Sequence, residues 1–291
     1  MPTAMPLSPL ENYNKLKKTF MKDVKGAANR ALIADCFRAS LDFVSALPRE
    51  PLHSLVPGKD YFAFVNAKGK LSRAVNSALF GPDFPEWEAF QGALEANDLT
   101  GFDSDRITRL VYSVAMSFCC YIDLLHTGDQ KTPGTFFEYL IAHLFAWRLD
   151  VNPERSIQVL NLDMKTFLPT DFVFNLGIEK PKFHLPVKTS TRERVIQVWA
   201  HQRVLDGVFG TARFLGTPVI LTETKTGKAK RAVTEICLPD QWRIYQLHVA
   251  QLKRIYYLDT PAAYLKLNEV FPPLHVKQFG DFFFEADSLS V

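Results

Sequence analysis

Cysteine is scarce. The 291 residues hold only Cys36, Cys119, Cys120 and Cys237, and none falls in a CxxC or CxxH spacing. That excludes a thiolate zinc site of the usual kind, and the adjacency of Cys119 and Cys120 argues for free thiols in a reducing compartment. No Walker A loop, GxGxxG or GxSxG occurs, so phosphate-loop, dinucleotide-binding and serine-hydrolase readings lack support. There is no internal repeat and no low-complexity tract. The opening "MPTAMPLSPLENYNKLKK" has no apolar stretch of the secretory type. The longest apolar run, "LVYSVAMSFCCYIDLL" over 110–125, carries Asp123 and falls short of the about 20 apolar residues that span a bilayer. An excess of one charge is missing too: the net charge is +3. That value neither demands nor excludes nucleic acid, because a binding face needs only a local surplus of Lys and Arg. The expectation is a soluble, cytoplasmic protein with no membrane partner.

What is present is enough for a sizeable core, with 47% hydrophobic and 22% charged residues, and disorder is not expected. Helical stripes run through 9–46, with further helices expected at 85–98 and 103–126 and a short strand or loop at "LVPGKDYFAFVNAKGK". After the loop "HTGDQKTPGT" the pattern changes. A helix at 134–149 precedes short strands near 156–160, 170–176 and 183–188, then a helix at about 191–207. A strand "TPVILTET", a turn at 225–228, and a strand, Pro turn and short helix in "RIYYLDTPAAYLKL" complete the pattern. A mainly helical region 1–130 followed by an α/β core over 131–291, or one continuous domain, is therefore expected, with a mixed sheet.

The chemistry concentrates in "LPTDFVFNLGIEKPKFHLPVKTS". Asp171 opens one apolar strand, "EKP" turns the chain, and a second strand ends on Lys188. A hairpin of this size brings Asp171 and Lys188 to one edge. Two readings stand. In one, Asp171 caps a turn and Lys188 extends to solvent. In the other, the carboxylate holds a hard divalent cation that polarises a phosphodiester, and the lysine orients water or offsets charge. Glu138, in the helix "GTFFEYLIAHLF", is either a solvated side chain or a second metal ligand. Thr189, Ser190, Thr191 and Glu193 look like a capped helix start, whose free N–H groups and dipole suit a phosphate. On that helix Arg194, Val198, His201 and Leu205 share a face.

With those residues in view, "VKTSTRERVIQV" resembles the catalytic segment of type II restriction endonucleases of the PD-(D/E)xK superfamily. The match runs through Lys188, Thr189, Ser190, Arg192, Glu193, Arg194, Gln197 and Val198. "PTDFVF" resembles the PD motif with Asp171 as metal-binding acid, and "GTFFEYLIAHLF" the preceding helix with Glu138 as its acid. The resemblance covers 134–207 well, the tail loosely and the first 130 residues not at all. It implies a restriction-endonuclease-like core with a central mixed β-sheet flanked by helices, behind a mainly helical N-terminal region. It also implies Mg²⁺-dependent cleavage of double-stranded DNA at a short site, a homodimer, and a companion DNA methyltransferase that does not bind stably. The acid of the (D/E)xK position falls on Pro186. In part of the superfamily that acid moves thirteen residues beyond the lysine, which here is His201, next to Gln202. The resemblance thus implies a ligand set of Asp171 with Glu138 and the Val187 main-chain carbonyl, His201 or Gln202 in reserve, and an Arg194 that clamps a phosphate or orders the site. Thr189, Ser190, Arg192 and Arg194 are expected at the DNA. Glu223 and Lys225 in "ILTETK" form a second ExK, read either as a polar strand end or as a competing motif. The basic segment of Lys225, Lys228, Lys230 and Arg231 is either a solvated hairpin tip or a contact with the DNA backbone. A structure-specific nuclease and a non-catalytic DNA-binding relative remain as alternative functions.

Overall fold

The computed structural model describes residues 7–161, 165–192, 195–227 and 231–289. Two compact units interleave along the chain. The first takes residues 1–102, 109–143 and 224–234, and the second takes 103–108, 144–223 and 235–291. The first begins with α1 (Pro9–Thr19) and α2 (Ala27–Ser45). Ser8 and Glu11 close a reciprocal capping box at the start of α1, an arrangement that stabilises a helix by about 1 kcal/mol. The strands β1 (Arg49–Ser54), β2 (Tyr61–Phe64) and β3 (Val75–Asn76) follow, antiparallel to one another. Then come α3 (Phe84–Glu95), α4 (Ser104–Leu125) and α5 (Lys131–Leu149), the last two crossing the division between units.

By length and composition α4 could cross a membrane, yet 89% of its apolar window is buried inside the protein. It is a core helix. Asp123, which interrupts the apolar run, is held by Arg73 in a forked pair at 2.7 and 2.9 Å, the planar fork-to-carboxylate geometry that suits arginine.

The second unit holds β4 (Glu154–Asn161), β5 (Lys165–Phe174), β6 (Lys182–Leu185), β7 (Val187–Lys188), α6 (Ile196–Phe209), β8 (Phe214–Gly216) and β9 (Val219–Ile220). The chain next supplies β10 (Thr224–Thr226) and β11 (Ala232–Glu235), which pair with the first unit's strands in the order β10-β11-β1-β2-β3. The second unit closes with α7 (Pro239–His248), β12 (Ile255–Tyr257), α8 (Ala262–Leu265), β13 (Val276–Gln278) and α9 (Phe282–Leu289). Its strands run β4-β5-β6-β8 and β13-β12-β9-β7. The β4-β5-β6 pairs are antiparallel, and the pairs β6-β8, β7-β9, β9-β12 and β12-β13 are parallel. This is the mixed sheet expected from the alternating pattern, flanked by helices.

Residues 182–189 behave as one strand. The carbonyls of His184, Pro186, Lys188 and Thr189 accept in turn from Thr217, Val219, Leu221 and Thr222 N–H. Proline has no N–H to give, so the ladder is interrupted at Pro186 and β6 is read apart from β7.

Three expectations change. Strand β5 starts at Lys165, with Pro169 inside it opposite Ser156 at an irregular register, so Asp171 lies within a strand rather than at its opening. The expected turn at 225–228 is strand through Thr226. The first unit's sheet is larger than the helical pattern suggested, because β1 finds its partner β11 across a very long sequence separation, with His53 opposite Ala232.

Candidate active site

Asp171 and Lys188 meet. Their strands are neighbours in the antiparallel hairpin that pairs Phe172 with Leu185 and Val173 with His184. Lys188 Nζ lies 2.6 Å from Asp171 Oδ2, which also accepts from Val187 N–H at 2.8 Å. In a strand the N–H and C=O of one residue face the same way, so the Val187 carbonyl is turned to the Asp171 side. Both side chains are about three-quarters buried, at 28% and 23% exposure for Lys188 and Asp171.

The pair lies in an open cleft of about 240 Å³, walled by Pro169, Thr170, Asp171, His184, Pro186 and Lys188 from the strands and by Gln197, Val198 and His201 from α6. Residues 184, 186 and 188 share one face because side chains alternate along a strand. Continuing the hairpin register places residue 186 directly across from Asp171. The usual acid would therefore stand beside Asp171, and Pro186 offers no oxygen in its place.

His184 lines the cleft and is held from behind by Gln202. His184 is fully buried, and its Nδ1 lies 3.1 Å from Gln202 Oε1. The amide nitrogen of Gln202 donates to the Phe214 carbonyl at 2.8 Å and to Asp206 at 2.9 Å. That leaves the Gln202 oxygen as acceptor and makes His184 Nδ1 the protonated nitrogen. Burial pushes the His184 imidazole down to about 4, and its Nε2 is a buried nitrogen with no hydrogen-bond partner. Gln202 is thus spent on structure and does not serve as a ligand. His201 is half-buried at the cleft, and burial lowers its pKa, with Lys188 adding to the effect and Asp171 opposing it.

The segment after Lys188 departs from expectation. The helix begins at Ile196 rather than near 191. The N–H groups of Thr191 and Arg192 are not free for a phosphate. They point at the carboxylate of Glu223, at 3.1 Å for Thr191 and 3.4 Å for Arg192. Ser190 spends its hydroxyl on the same group at 2.8 Å, and Thr189 gives its carbonyl to the strand ladder. Glu223 is fully buried, a role that its reading as a polar strand end missed. The only trace in the sequence was its place at the end of an apolar strand.

Of the other expected residues, Arg192 is exposed, as is Lys225 on β10 in the first unit. Arg231 is ion-paired with Glu50 within that unit. Glu138 lies on α5 in the first unit. Glu193, Arg194, Lys228 and Lys230 lie outside the described residues.

Among the described residues no group of three or more His, Cys, Asp or Glu is ready to hold a metal ion. The cleft does offer Asp171, the Val187 carbonyl and His201. Such a partial donor set fits a hard divalent ion that keeps several waters and takes its remaining oxygens from a bound phosphate.

Asp171 and the strand-end Lys188 are thus paired in an open cleft on a mixed sheet flanked by helices. Among solved structures the chain is similar to the Type IIP restriction endonuclease Kpn2I, with a TM-score of 0.80 and 25% sequence identity over 96% of each chain. A fainter likeness, with a TM-score of 0.43 and 12% identity over 97% of this chain and 93% of the other, is to restriction endonuclease PspGI in complex with substrate DNA. No protein-family model matches the chain, and no curated protein does. The chain has the fold of a type II restriction endonuclease and is an endodeoxyribonuclease, as the residues around Lys188 suggested.

Proposed function

We propose that the protein is a type II site-specific deoxyribonuclease that hydrolyses phosphodiester bonds of double-stranded DNA at a short recognition sequence, with Mg²⁺ as cofactor. The observation that carries this reading is the Lys188–Asp171 pair, 2.6 Å apart at the mouth of an open cleft, in a fold like that of Kpn2I. A scissile phosphate entering the cleft meets Asp171, Lys188 and His201 on its walls. Asp171, the Val187 carbonyl and His201 hold the ion. An ion held there would polarise the phosphate and lower the pKa of a bound water. Lys188, paired with Asp171 in the free protein, orients the attacking water once the phosphate arrives and offsets the negative charge that develops. Glu138 is left out of this ligand set. Arg192 and Lys225 are the described cations assigned to the DNA, while Arg231 is occupied by Glu50. The protein acts as a homodimer matched to a two-fold target, in the cytoplasm, and works beside a methyltransferase that protects the same site.

The test is digestion of a plasmid of known sequence with Mg²⁺, followed by mapping of the ends. Discrete bands support the reading. A smear or cutting only at junctions favours a structure-specific nuclease. Binding without cutting favours a non-catalytic relative, which Pro186 would explain. Lys188→Ala is expected to lower the cleavage rate by at least about 100-fold, and cleavage at the wild-type rate would overturn the site assignment.

A further inference from the structure

Glu223 gathers five donor groups on one carboxylate. Ser190 Oγ lies at 2.8 Å, Thr191 N–H at 3.1 Å from each oxygen, Arg192 N–H at 3.4 Å and Tyr257 Oη at 2.9 Å, and the Thr191 hydroxyl completes the set. The residue has no solvent exposure. These donors are hydroxyls and amides, a solvation shell made of protein around a buried carboxyl group. The segment it grips is short and consequential, because it joins Lys188 to the helix that carries His201. It also contains a strained residue. Arg192 has φ of +36°, a left-handed conformation that a side chain with a Cβ adopts only when its surroundings impose it. The grip on Thr191 and Arg192 supplies that constraint and leaves the Arg192 side chain outside, exposed.

We propose that Glu223 is a positioning residue of the nuclease: its buried carboxylate locks the 190–192 turn and thereby sets how Arg192 meets DNA relative to Lys188. The proposal rests on the nuclease reading of the cleft. It makes the anion expected at this turn an internal one, with Glu223 occupying the amides that would otherwise receive a phosphate.

The test uses the full chain with Glu223→Gln, which keeps the shape but turns one acceptor into a donor facing N–H groups. Amide hydrogen exchange reads the turn directly. The Thr191 and Arg192 amides are expected to be protected in the wild type and to exchange at least about 100-fold faster in the variant. On a duplex carrying the mapped cleavage site, single-turnover cleavage is expected to fall about 100-fold. Affinity for an unrelated duplex is expected to fall by no more than about fivefold, since only one backbone contact, that of Arg192, is disturbed. A merely structural loss would lower cleavage and this affinity together. Should Glu223→Gln not fold, Thr191→Val removes one donor and is expected to slow cleavage about tenfold. Wild-type cleavage by whichever variant folds, or equal amide exchange in it and the wild type, overturns the proposal alone. A wild-type protein that cuts no duplex overturns the nuclease reading, and the proposal with it.

Discussion

In the proposed site His201 stands thirteen residues past Lys188, and a nitrogen ligand there would change which ion the cleft prefers. Imidazole suits Mn²⁺ and its neighbours better than Mg²⁺, which favours oxygen. Half-maximal cleavage is therefore expected at a lower Mn²⁺ than Mg²⁺ concentration. His201→Glu should reverse that order, and an unchanged order in the variant would remove His201 from the ligand set. A second histidine bears on stability. His143 is buried in the first unit with its Nδ1 2.7 Å from the Val24 carbonyl, and burial pushes its pKa down from 6.5 to about 4. The unfolded chain takes up a proton below about pH 6.5, whereas the folded form resists it until about pH 4. Stability is then full above the upper value and lost as pH falls through this window. The loss is on the order of 3 kcal/mol. Thermal melts from pH 7 to 4 should show it, and His143→Asn should flatten that part of the profile.

At the scale of elements, the cleft depends on a strut between sheet and helix. Gln202 of α6 reaches His184 on β6 and the Phe214 carbonyl on β8, so one side chain ties the helix to two strands. The approach requires Gly216. A Cβ there would lie 2.7 Å from Gln202 Oε1 and 2.6 Å from Leu252 Cδ2. Gly216→Ala should cost about 1–3 kcal/mol in urea denaturation through overpacking. It should also slow cleavage, because α6 carries His201; full activity with lowered stability would separate the strut from the site.

At the scale of the whole molecule, a net charge of +3 leaves DNA affinity to local clusters rather than to a general attraction. Affinity for an unrelated duplex should still fall steeply with salt, with a slope of about −0.9 per phosphate neutralised. Arg192→Ala is expected to shorten that slope, measured by fluorescence anisotropy between 50 and 200 mM salt, by about one. An unchanged slope would mean that Arg192 makes no phosphate contact.

Much of this protein was open to reading in one dimension. Short-range signals settled it: the Asp171–Lys188 hairpin is local, its alternation has period two, and the lysine is followed within a few residues by its recognisable neighbours. The same locality made α3, α4 and the helix across Glu138 legible. What only the tertiary structure decided depends on partners distant along the chain. Glu223 reads as a turn residue until strand pairing brings it under Ser190 and Thr191. Arg231 reads as a DNA contact until it meets Glu50, and Gln202 reads as a possible ligand until His184 and Phe214 claim it. A side chain's chemical type is written in the sequence. Whether its hydrogen-bonding capacity is free or already spent depends on what packs against it, and that is fixed only when the chain closes on itself.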